Sequence, residues 1–211
     1  MIELYGSPTP STHTIAIMLE EVQLPYSIFP VTKENTQQLE LEFLKPTPNR
    51  IFPLILDREG PNGKPIVIFE TNAILLYLAE KSGQLLPQET HEKYEVLQWL
   101  LFESSKIAPT LGNSKHFMYH APEEVPYAVK RFNNETKRVF GILENQLSEN
   151  EFISGDYSIA DIATFPWIRE YERYGFTSEQ LPNISAWCNN MEERPAVIKG
   201  TNTLIGMKES V

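Results

Sequence analysis

The chain has 211 residues, 41% of them hydrophobic, and a formal net charge of -10 from 28 acidic against 18 basic side chains. That length and apolar content suit one large or two modest domains with a buried core, while the acidic balance argues against a nucleic-acid partner, whose affinity comes mainly from Lys and Arg displacing counterions. The single cysteine, Cys188, excludes an internal disulfide and any cysteine-based metal cluster.

In chain order, "IELY" (residues 2–5) reads as a short strand, "GSPTPS" breaks the backbone, and "THTIAIMLEEV" sets Ile15, Met18, Leu19 and Val22 on one helical face. "YSIFPV" (26–31) gives a second strand, and "QQLELEFLK" a weak helix ended by Pro46 and Pro48. "PLIL" (53–56) and "PIVIF" (65–69) flank "DREGPNGK", whose Gly, Pro and Asn residues suit a hairpin turn. A helix from about Thr71 to Ser82 follows, with Thr71 as its N-cap and Gly83 as its C-terminal cap. Strand, helix, strand demands a right-handed crossover and parallel pairing, whereas the short turn demands an antiparallel pair. The expected α/β unit is therefore a small mixed sheet in the order βαβαββα.

Beyond "SGQLLPQET" only helical periods remain. "EKYEVLQWLLFESSKIAPTL" is a long helix interrupted near Pro109, and "PYAVKRFNNETKRVFGILENQL" carries an apolar stripe with Lys130, Arg131, Lys137 and Arg138 elsewhere on the cylinder. "SIADIATFPWIREYERYG" and "NISAWCNNMEERPAV" read as two further helices. The expected organisation is an α/β domain over 1–83, a linker over 84–89 and an all-α domain over 90–211. No run approaches the ~20 apolar residues of a membrane span, and "MIELYGSPTPSTH" lacks the basic start and apolar centre of a secretory signal, so a cytoplasmic address is expected.

Four stretches can carry chemistry. "YGSPTPSTH" leads from a strand end into a helix N-terminus, where free amides and a partial positive charge favour an anion or thiolate; Thr9, Ser11 and Thr12 are candidate donors, and any one of them equally reads as the N-cap. In "PNRIFPLIL", Pro53 stands at a strand mouth. A trans bond is the ordinary expectation, whereas a cis bond would leave the Phe52 backbone free to pair with an extended peptide. In "FETNAI", capping explains Thr71 but not Glu70; together Glu70 and the Thr71 amide and hydroxyl suit an α-amino-acid head group. Ser158 and Asp161 stand at capping-box spacing and read as structural. His116 and His120, four apart in a loop without a third ligand, read as solvated, and Cys188 as a buried inert thiol.

These residues resemble a glutathione transferase over nearly the whole chain. "PNRIFPLILD" stands for the proline loop of the family's thioredoxin-like domain, "FETNAILLYLAE" for its Glu-Ser/Thr motif, and "SIADIATFPW" for its C-terminal capping box. "SPTPSTHTIAIMLEE", "LFESSKIAPTLGNSKHF", "PYAVKRFNNETKRVFGILE" and "RPAVIKG" resemble the branch that holds bacterial nu-class disulfide reductases and the fungal nitrogen-regulation prion protein.

The resemblance implies a homodimer that binds glutathione, reduced or as the disulfide, without a metal, and that reduces small disulfides in preference to conjugating electrophiles. It implies that Thr9 faces the reactive sulfur with Ser11 beside it, that Phe52 and Pro53 pair the cysteinyl backbone, and that Glu70 and Thr71 hold the γ-glutamyl head. Gln38 would reach a glycyl end, and Arg131 would contribute from the helical domain. Ser11 departs from the usual Asn, and Ile51 from the usual Lys or Arg, with Arg50 one residue earlier. With no cysteine in the first domain, glutathione supplies both attacking and resolving thiols, and Cys188 is dispensable. Conjugation of glutathione to electrophiles, and a non-catalytic glutathione-binding regulator, are the competing readings.

Overall fold

A computed structural model describes residues 1–32, 34–37, 39, 47–49 and 51–204. The chain divides into two compact units: Met1–Leu86 together with Glu192–Val211, and Pro87–Met191.

In the first unit, β1 (Ile2–Gly6) lies between β2 (Tyr26–Pro30), which it pairs in parallel, and β3 (Leu54–Asp57), which it pairs antiparallel; β4 (Ile66–Phe69) adds antiparallel at the far edge, giving the order β2-β1-β3-β4. The expected parallel crossover and hairpin pair are both present. A tight 3-10 turn at Pro61–Gly63 supplies the hairpin's reversal, with Asn62 and Gly63 at positive φ of 58° and 70°. The weak helix expected over "QQLELEFLK" falls largely outside the described residues.

Helix α1 (Pro10–Glu21) buries more than the predicted stripe: Ile15, Ala16, Ile17, Met18 and Leu19 are all inaccessible to solvent. A helix that is apolar all round must be covered on every side. The cover comes from the chain's last described helix, α8 (Pro195–Asn202), which packs along α1. Gly200 makes this approach possible, since a Cβ there would stand 2.6 Å from the Ile17 Cα and N. Arg194 forks onto the Glu21 carboxylate at 2.8 and 3.1 Å, and Lys199 reaches Glu20 at 2.7 Å. The closing segment of the expected 90–211 helical domain thus belongs to the first unit. The reading of "NISAWCNNMEERPAV" as one helix is also corrected: the chain forms α7 (Pro182–Glu192) and then α8, because Pro195 lacks the amide that a continuous helix needs and starts a new one instead.

Helix α2 (Thr71–Ser82) closes the sheet, with Gly83 at φ 70° capping its end as expected. Asp57, inaccessible at the end of β3, accepts from the Tyr77 hydroxyl at 2.5 Å and pairs the Lys81 ammonium at 2.6 Å. Burial alone would raise this carboxyl, but Lys81, Tyr77 and the Glu59 amide outweigh it and hold it below the usual carboxylate range.

The second unit is helical: α3 (Thr90–Phe102), α4 (Ala108–Lys115), α5 (Pro126–Glu149), α6 (Ile159–Ile168) and α7. The interruption expected near Pro109 is a π-helical turn at Glu103–Ile107, through which the chain stays right-handed helical, and Pro109 follows at the start of α4. The expected His116 loop is a second π-helical turn, His116–His120. Ser158 and Asp161 form the predicted capping box: the Ser158 hydroxyl accepts from the Ala160 amide and Asp161 accepts from the Ser158 amide at 3.1 Å. The inaccessible Asp161 also accepts from the Ile153 amide at 2.9 Å and the Trp187 indole at 3.0 Å, tying the α5–α6 connection and α7 to one carboxylate. At the N-terminus of α7, the Glu144 carboxylate of α5 accepts from the Asn183 and Ile184 amides.

Candidate active site

The sheet register brings three chain junctions together. Leu54 at the start of β3 pairs with Tyr5 near the end of β1 and with Phe69 at the end of β4. The loop into α1, the Phe52-Pro53 turn and the Glu70-Thr71 step into α2 therefore emerge at one end of the sheet. Ser11, Ile51, Phe52, Pro53, Glu70 and Thr71 line a shared cleft there of about 140 Å³. Asn49 and Phe69 also line it; both were missed in the sequence, Asn49 looking like an ordinary turn residue and Phe69 like a strand residue, although its place directly before Glu70 was the available signal.

The Phe52-Pro53 bond is cis, which of the two alternatives is the one that the peptide-pairing reading of Phe52 requires. Neither the Phe52 N–H nor its C=O has a partner among the described residues. Thr71 is not the cap: Glu70 takes the N-cap position, its carbonyl accepting from the Ile74 amide at 3.0 Å, and Thr71 is the first helical residue. Glu70 is exposed, stands at φ 67° and makes no side-chain capping bond. A non-glycine residue in that region is uncommon, and such conformations concentrate at ligand-binding positions. The Glu70 carboxylate has no partner among the described residues.

At the entry to α1, Thr9 is the N-cap: its hydroxyl oxygen accepts from the Thr12 amide at 3.3 Å and lies 3.1 Å from the buried Thr12 hydroxyl. Thr9 is thus a cap, as one of these hydroxyls was expected to be, and it does not line the cleft. The two hydroxyls share one hydrogen bond in which either can donate, so the Thr9 hydroxyl is engaged by both the backbone amide and the hydroxyl of Thr12. Pro10 has no amide, so the first unpaired N–H of α1 belongs to Ser11, whose hydroxyl is also without a partner among the described residues.

Gln38 and Arg50 lie outside the described residues. Arg131 is in the second unit, exposed on α5, where it lines a groove of about 810 Å³ with Lys106, Lys130 and Arg138. Cys188 is buried in α7.

A fold with this sheet, a cis-proline turn and a free carboxylate at a helix start defines a thioredoxin-like binding domain joined to a helical unit. Comparison with known proteins gives the family: the glutathione S-transferase N-terminal domain model matches residues 1–80 and the C-terminal domain model residues 107–195. The chain belongs to the glutathione S-transferase family. It is 39% identical over 198 residues to the disulfide-bond oxidoreductase YfcG of Escherichia coli (strain K12), covering 93% of this chain and 92% of that protein. Among solved structures, a glutathione transferase from Pseudomonas putida with one glutathione disulfide bound per subunit is 41% identical with a TM-score of 0.87, covering 95% of this chain and 90% of that one. Ure2p in complex with glutathione, the fungal side of the branch, is 28% identical with a TM-score of 0.88, covering 95% of this chain and 92% of that chain.

Proposed function

We propose that the protein is a glutathione-dependent oxidoreductase that reduces small disulfides, with glutathione as the thiol source. The observation that carries this reading is the cleft: the Glu70 carboxylate, the Ser11 amide and hydroxyl and the Phe52 peptide group, all without a partner among the described residues, meet in one place, in a unit with no cysteine. The relatives support it, since one is a disulfide-bond oxidoreductase and another holds glutathione disulfide.

Glu70 receives the γ-glutamyl ammonium, and the Thr71 amide and hydroxyl receive the neighbouring carboxylate at the start of α2. The Phe52 N–H and C=O pair the cysteinyl peptide, as an added strand would. That geometry sets the sulfur near the start of α1, where the Ser11 amide and hydroxyl are the donors that line the cleft and Thr9 is the neighbouring hydroxyl. At about 140 Å³ the cleft is smaller than the ~300–1,000 Å³ of pockets that engulf a whole ligand, so it seats part of the tripeptide. The family resemblance assigns the glycyl end of the tripeptide to Gln38.

Chemically, the glutathione thiolate attacks one sulfur of the substrate disulfide, forming a mixed disulfide and releasing a thiolate that takes up a proton. A second glutathione thiolate attacks the mixed disulfide at the glutathione sulfur, giving glutathione disulfide and the second product thiol. Two glutathiones are oxidised for each disulfide reduced. A free thiol near pKa 8.5 is only a few per cent ionised at neutral pH; a two-unit lowering takes about 2.7 kcal/mol, within reach of one or two charge-assisted bonds plus a helix terminus.

The working form is a homodimer. Tyr94 and Leu101, seven residues apart on α3, are 60% and 62% exposed, an apolar face that a second copy would cover. No described helix is long and apolar enough to cross a membrane, and the expected site of action is the reducing cytoplasm, where glutathione is available.

Titration with oxidised and reduced glutathione, alongside assays of disulfide reduction and of conjugation to a chloronitrobenzene, tests this reading. Tighter binding of the oxidised form and faster turnover of the disulfide are expected; faster conjugation would select the transferase reading, and tight binding with no turnover of either substrate would select a regulator.

A further inference from the structure

The segment from Lys115 to His120, which the glutathione reading leaves without a role, forms one wall of a second cavity. Its volume is about 360 Å³, and it is lined by Lys115, Tyr119, His120, Glu170, Arg173 and Tyr174. All six belong to the helical unit, and this volume lies within the ~300–1,000 Å³ range of pockets that take a small organic ligand.

The lining divides into groups already engaged and groups left over. The one acidic side chain, Glu170, is paired with Arg173 at 3.1 Å. The Tyr119 hydroxyl donates to the Arg173 carbonyl at 2.9 Å, which fastens the His116–His120 turn to the Tyr171–Tyr174 turn, and the Tyr174 hydroxyl is directed at the Leu111 carbonyl at 3.4 Å. Both phenols thus spend their polar ends on backbone carbonyls, and their rings remain as apolar surface. Lys115 is half-buried, and neither its ammonium nor the His120 imidazole has a hydrogen bond or ion pair among the described residues. A half-buried ammonium facing a cavity with no free carboxylate favours an anion. This local excess of cationic groups occurs in a chain of net charge -10, so bulk charge does not produce it.

We propose that this cavity is a binding site for an aromatic carboxylate, with Lys115 and His120 holding the anionic head and the Tyr119 and Tyr174 rings flanking the flat body. The site is lined by the helical unit alone and does not depend on the assignment of the glutathione cleft.

The probe is 2-naphthoate, followed by calorimetry and saturation-transfer NMR, with 2-naphthamide as the neutral control. Naphthoate is expected to bind at least ten-fold more tightly than the amide. Lys115→Met, which keeps the stem and removes the charge, is expected to weaken naphthoate at least ten-fold, and the more exposed His120→Gln at least three-fold. Glutathione binding, titrated on the same variants, should be unchanged, which also shows that they are folded. Absence of naphthoate binding, equal binding of acid and amide, insensitivity to both substitutions, or competitive displacement of naphthoate by glutathione would each overturn the assignment.

Discussion

At the scale of single residues, the two hydroxyls at the head of α1 have different duties. Thr9 satisfies the Thr12 amide and shares a hydrogen bond with the Thr12 hydroxyl, whereas Ser11 makes no structural bond among the described residues. Thr9→Val should therefore lose both activity and about 1 kcal/mol of stability through the missing cap, while Ser11→Ala should lower kcat/KM for disulfide reduction about ten-fold or more without moving the melting temperature. Parallel kinetics and thermal melts separate the two; equal melting losses would contradict the division. Glu70→Gln keeps the side chain's shape and removes the charge that meets the γ-glutamyl ammonium, so glutathione affinity should fall by about 1.5–3 kcal/mol, read by calorimetry. Ser11, Glu70 and Thr71 were legible as candidates because each sits at the start of a helix, and Phe52 and Pro53 because they sit where a turn meets a strand. What the sequence could not show was that Glu70, rather than Thr71, takes the cap position at positive φ, or that the proline bond is cis: both depend on how the neighbouring segments fit, which no local preference specifies.

Elements are held by a few polar anchors and close approaches. Asp161 is pushed up to about 6 by burial, against the opposing effect of its four donor contacts from Ile153, Trp187 and Ser158. Because the folded protein then holds this proton more tightly than the unfolded chain, the group's contribution to stability is fullest below its ordinary value of 3.8, declines as pH rises towards about 6, and is level above that. Asp161→Asn puts an amide NH2 against amide and indole donors and should cost about 2–4 kcal/mol at pH 7. The stability gap between wild type and this variant should be wider at pH 4.5 than at pH 6.5; denaturant melts across that range test the sign. Gly200→Ala should separate α8 from α1, because the new methyl meets Ile17 backbone rather than a side chain able to turn away. A loss of about 1–3 kcal/mol is expected, with faster proteolytic cleavage near Arg194. The capping box was readable from Ser158-x-x-Asp161 alone, and the apolar face of α1 from its period. The return of α8 onto that helix was not, because a contact between residues 17 and 200 leaves no local pattern in either segment.

For the whole molecule, the division into a sheet unit and a helical unit was visible in the change from mixed strand and helix signals to helical periods after Gly83. The proposed homodimer is tested by light scattering: the wild type should run at twice the 24.2 kDa chain mass and Leu101→Glu as the monomer, whereas a monomeric wild type would contradict the dimer and a dimeric variant the interface. The central claim is that the reducing sulfur comes from glutathione and not from the protein, whose one thiol is buried in the helical unit. The most direct measurement is glutathione-dependent reduction of 2-hydroxyethyl disulfide by Cys188→Ala. The account predicts a rate equal to that of the wild type; loss of the reaction in this variant would contradict it.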